Sequence, residues 1–146
     1  MDLSEFENPD NFKSKHWMHY RTGDDRELIA LSGIAIVNFE GLSDETWLSD
    51  TLNLGVNIPS ALIPADKQFQ VQTWTTFMTL NSIYDKDQSV NAGFAVDEFW
   101  GPGAITTKGY ITLHAKLAVR DSDAILYRVG YEVTMVGNFI PWEANP

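Results

Sequence analysis

Glu98, Tyr127 and Tyr131 are the side chains of this 146-residue sequence whose types and spacing point to chemistry. Glu98 is in phase with Val90, Ala92, Phe94 and Val96, so a strand continuing through it aims a carboxylate at the interior, near the rim. Trp100 follows at the same parity. A carboxyl beside an indole in a poorly solvated mouth is pushed towards its neutral form and can act as an acid or anchor a polar group. Should the strand end near Asp97, Glu98 is simply solvated. Tyr127 and Tyr131 share a strand face at a separation of roughly 13 Å. Phenols inside a barrel donate hydrogen bonds to a carbonyl without taking a full charge. The plainer reading makes them core aromatics with their hydroxyls satisfied at the ends. Trp74, Met78 and Phe94 would line the same interior and, with Trp100, form the expected ligand-binding set, although such stripes also build ordinary cores.

Other chemistries find little support. His16-Trp17-Met18-His19 puts its histidines on opposite faces of a strand or on one face of a helix. With His114 the remaining histidine and no cysteine in the chain, carboxylates would have to complete any metal shell, and no metal site is expected. No G-x-S-x-G accompanies a serine nucleophile. Gly101-Pro102-Gly103-Ala104 is a turn, because no Lys-Ser/Thr follows it to open a phosphate-binding helix. No cofactor is implied.

The elements that must position these residues read as strands. His16–Thr22 is a short one, and Gly23-Asp24-Asp25 turns the chain into Glu27–Glu40, apolar at both parities and so buried or covered on both faces. Thr51–Pro59 alternates cleanly, with Leu52, Leu54, Val56 and Ile58 on one side. The long run from Gln68 to Ile83 changes apolar parity, which predicts a bulge near Thr73. Ser89–Trp100 alternates again, and Lys108–Met135 reads as two strands around an acidic turn. Asn8-Pro9-Asp10 predicts a short helix from Pro9 to Lys15, within a helical or extended N-terminal arm or lid over residues 1–14. Ser43-Asp44-Glu45 could cap one further helical turn. No helix of three turns and no βαβ pattern occurs. About seven strands joined by short polar turns predict a single antiparallel, mostly up-and-down β-barrel of seven to eight strands, with a two-sheet sandwich as the alternative.

In the last hairpin, Asp121 set opposite Ile125 brings Val119 to Tyr127, Leu117 to Val129, Ala115 to Tyr131 and Leu113 to Val133, with His114 opposite Glu132. A two-residue slip keeps the same residues inside. Across roughly residues 97–139, the turn Gly101-Pro102-Gly103-Ala104, the element Lys108-Gly109-Tyr110, and Asp123-Ala124 followed by Tyr131-Glu132-Val133 resemble the allene oxide cyclase and dirigent family of β-barrels. That resemblance implies an eight-stranded barrel whose interior guides cyclisation or coupling of an apolar substrate. It carries over no catalytic residue.

Composition sets the outer bounds. Hydrophobic residues at 44% and charged residues at 21% are globular proportions, so a packed core is the default. A net charge of −10 argues against nucleic acid and anionic membranes as partners. No apolar run approaches the roughly 20 residues that span a bilayer, and the acidic start lacks the features of a signal peptide. Absence of cysteine fits a reducing, cytoplasmic setting. The expectation is a barrel that encloses a small apolar molecule and promotes its cyclisation or isomerisation without a cofactor. Holding a flexible substrate in a reactive fold contributes up to roughly 7–11 kcal/mol. Two alternatives stand beside it: a carrier with the same cavity and no turnover, and a structural or oligomeric domain with a filled core. Interior volume discriminates the last, and a homo-oligomer is compatible with all three.

Overall fold

β-Branched and aromatic residues at alternating positions dominate the chain, and in the computed structural model they form nine strands among the described residues. Described are residues 1–4, 11–42, 46–85, 92–101, 103–121 and 123–142, without the side chains of residues 12–14. The strands are β1 (Asp2–Ser4), β2 (Phe12–Arg21), β3 (Glu27–Glu40), β4 (Leu48–Asn57), β5 (Lys67–Asp85), β6 (Gly93–Trp100), β7 (Thr106–Thr107), β8 (Tyr110–Arg120) and β9 (Ala124–Pro141). They make two sheets and no closed barrel: β1-β4-β8-β6, and β2-β3-β9-β5-β7. All neighbours are antiparallel except β1, which lies parallel to β4. The all-β reading therefore holds, in the two-sheet form.

Of the eight connections between successive strands, only β2–β3 stays within a sheet. The remainder cross from one sheet to the other. This overturns the expected last hairpin. β8 pairs with β4 and β6, β9 pairs with β3 and β5, and Leu117 lies beside Asp50 and Val96 instead of Val129. The chain between them is a corner. Asp121, at φ 90°, accepts a hydrogen bond on its carbonyl from Ala124 N at 3.1 Å, and its side chain accepts one from Asp123 N at 3.1 Å. Crossing gives β8 the neighbours β4 and β6, gives β9 the neighbours β3 and β5, and lets each bury its apolar row against the facing sheet.

The face assignment nevertheless survives for most residues. Leu113, Ala115, Leu117, Val119, Val129, Tyr131 and Val133 all point inward and are buried. So do Leu52, Leu54, Val56 and Ile58 of β4. The predicted bulge is present, as a register shift between Val71 and Thr73. Two expectations fail. Phe12–Lys15 belong to β2, not to a helix, because their neighbours pair with β3; the rest of that helix, and the turn at Ser43–Glu45, lie outside the described residues. A shift near Arg128 sends Tyr127 to the surface, so it no longer shares a face with Tyr131.

Inner faces meet in one apolar cluster that includes Phe69, Leu113, Leu126 and Met135, all fully buried. One corner is fixed by the Lys108-Gly109-Tyr110 element: Lys108 Nζ donates to the carbonyls of Ala65 (2.9 Å) and Lys67 (2.8 Å), and Gly109 takes φ 144°, a region that favours glycine. Tyr110 then lies over Gly55, where a Cβ would come within 2.1 Å of its hydroxyl.

Candidate functional site

Strand β6 runs beside β8 from Arg120 back to His114 and then leaves it, so Tyr110–Leu113 have no β6 neighbour. The departing chain crosses to the other sheet over Trp74. Gly101 allows that close pass, since a Cβ there would sit 2.7 Å from the indole. The notch that results is an open groove of about 580 Å³, lined chiefly by Trp74, Trp100, Ile105, Tyr110, Thr112 and His114.

A chain of hydrogen bonds orients the imidazole at this groove. Asn53 Nδ2 donates to Asp2 Oδ1 at 2.6 Å, so its Oδ1 faces His114 and accepts from Nδ1–H, also at 2.6 Å. In the neutral ring this places the proton on Nδ1 and leaves Nε2 as the acceptor. The ring is held from the side by Trp100, stacked at 5.3 Å between centroids and 26° between planes. β1 supplies the first link of the chain: Asp2 is brought beside Asn53 by the parallel pairing of β1 with β4, and the terminal amine donates to Thr51 O at 3.0 Å. Two indoles, a phenol and an oriented imidazole thus surround one opening, suited to a flat apolar surface carrying a hydrogen-bond donor.

The residues nominated from sequence are dispersed. Trp74 and Trp100 both line the groove. Met78 and Phe94 are half-buried and pack on the core cluster. Glu98 does not face the interior: a register shift between Val96 and Glu98 turns it outward, opposite Lys116, and Phe99 takes the inward position. Glu98 and Trp100 share a shallow outer depression of about 340 Å³. Tyr127 is exposed, its ring 6.3 Å from that of Tyr84. Tyr131 is buried over Gly33 and borders a separate cleft of about 230 Å³ with His16 and Trp17. His19 Nε2 donates to Glu27 Oε2 at 2.8 Å, away from His16, and no group of three or more metal-ligating side chains occurs among the described residues.

Burial pushes the Tyr131 phenol up to about 12. The unfolded chain releases that proton near pH 10, so stability is complete below pH 10 and falls as pH rises towards 12. The loss is about 2–3 kcal/mol at most. Urea midpoints at pH 8 and pH 11 are expected to differ by more in the native protein than in Tyr131→Phe.

Sequence reasoning missed His114 as a site residue, setting it opposite Glu132 in a hairpin. Nothing in the chain marks Asp2, Asn53 and His114 as neighbours, because β1, β4 and β8 meet only in the folded sheet. Compared with protein-family models, curated proteins and solved structures, the chain matches none.

Proposed function

We propose that the protein is a small-molecule-binding β-sandwich whose ligand lies in the edge groove rather than in the core. The observation that carries this reading is the His114 imidazole, hydrogen-bonded through Asn53 to Asp2 and stacked on the Trp100 ring, in a groove of about 580 Å³. That volume suits a small organic ligand. The ligand class is a flat, largely apolar molecule with one hydroxyl or similar donor for Nε2. Binding without turnover is favoured, since Glu98, Tyr127 and Tyr131 stand on three different surfaces and cannot act on one molecule. Cyclisation or isomerisation of the same ligand would require His114 to take the proton, as the one basic side chain among the lining residues.

Tryptophan fluorescence and melting temperature, followed against a panel of phenols, cyclic alcohols and hydroxylated enones, test this. A saturable response is expected, accompanied by a rise in melting temperature. Trp100→Ala and His114→Ala should each weaken it about tenfold, the equivalent of one stacking contact or one aligned hydrogen bond. A response untouched by either substitution would remove the groove from consideration.

A further inference from the structure

We propose that the outer face of the five-stranded sheet is a homodimer interface, in which two copies pack face to face about a two-fold axis crossing β9 at Gly130. The outer face of an antiparallel sheet exposed to water normally alternates towards charged residues. This one does not. Opposite the buried row of β3, the chain presents Leu28, Ala30, Ser32, Ile34 and Ile36. β2 adds Met18 and Tyr20, and β5 adds Phe77 among threonines. Tyr20 is 57% and Phe77 62% exposed, so large apolar side chains stand in solvent on a contiguous surface.

Charge on the same face is minimal. Between Leu28 and Ile36, and across the paired stretches of β9 and β5, the outward positions carry one glutamate, Glu132, and one arginine, Arg128. The chain as a whole has a net charge of −10, yet these three strands bring no net charge to the face, and β2 adds Lys13 opposite Ile34 and His16 opposite Ser32 at its edge. Neither Arg128 nor Glu132 has an ion-pair partner among the described residues.

Their spacing selects the occupant. Arg128 and Glu132 lie one outward position either side of Gly130, each roughly 7 Å from it along the strand. A two-fold axis in the plane between the sheets, perpendicular to β9 at Gly130, lays β9 antiparallel over its partner. Arg128 of each copy then meets Glu132 of the other, and the position without a side chain falls on the axis. Such an isologous contact closes at two copies. Four strands by about four to five outward rows cover on the order of 600 Å², close to the roughly 800 Å² per partner of a standard interface.

Sedimentation velocity on the full chain across micromolar to millimolar concentrations tests the proposal, with Glu132→Arg, Arg128→Glu and the double swap compared. The native protein is expected to move from 16.4 kDa towards twice that mass. Each single substitution should raise the dimer dissociation constant at least tenfold, by setting like charges together, and the double swap should restore it. Circular dichroism melts of the dilute variants establish that each monomer is folded. A native protein that stays at 16.4 kDa throughout assigns the face to a different partner and overturns the proposal. A dimer that persists unchanged in both single variants overturns it equally.

Discussion

Replacing Phe69 with alanine is expected to destabilise the protein by about 3–5 kcal/mol. Phe69 has no exposed surface, lies in β5 at the inner face, and meets Phe139 edge-on at 5.7 Å between centroids. Its neighbours belong to strands hydrogen-bonded on both sides, so the site cannot collapse around the missing ring. The cost is therefore transfer of the ring plus the cavity it leaves. Chemical denaturation of native protein, Phe69→Leu and Phe69→Ala should give a graded series. The alanine variant should also gain a melting-temperature response to benzene that the native protein lacks, because a void lined by apolar side chains stays dry and accepts an apolar guest. A loss below about 1 kcal/mol would mean a loosely filled interior, and would return the ligand to the core.

Gly41→Ala is expected to cost about 3 kcal/mol or more, at or above the upper end of ordinary overpacking. A Cβ at Gly41 would stand 2.1 Å from the carbonyl oxygen of Asp121. That oxygen is backbone, and it already accepts a hydrogen bond from Ala124 N, while Gly41 N donates to Ala124 O at 3.0 Å. No side chain can rotate aside to make room. The strain falls on the corner that carries β8 in one sheet into β9 in the other. Gly23→Ala, where nothing lies within 4 Å, is the matched control and should change stability little. Thermal and urea unfolding of the two variants separate a lost corner from a general intolerance of alanine. If Gly41→Ala melts with the native protein, the crossing is held elsewhere.

Period-two alternation was legible wherever one face of a strand is buried and the other wet. Leu52 to Ile58, Leu113 to Val119 and the bulge by Thr73 all follow from it. Positions next to a bulge were misread, and for one reason: a single extra residue inverts every side chain beyond it. Glu98 and Tyr127 each lie beside such a shift, and both therefore face outward. Met78 and Phe94 pack against the core cluster, and of the expected ligand set the groove is lined by Trp74 and Trp100.

The sequence by itself determined that the fold is all-β, which side of most strands is apolar, and where several of the turns fall. Only the tertiary structure decided which strands pair. Two strands joined by a three-residue connection can pair as a hairpin or cross between sheets with the same residues inside, and alternation is identical in the two arrangements. Choosing between them depends on what flanks each strand on its other side, here β4 and β6 around β8, and β3 and β5 around β9. Those partners are distant in sequence and are selected by burial of whole faces. The same choice of neighbours brings Asp2, Asn53 and His114 into one hydrogen-bonded line and leaves an apolar sheet face bare.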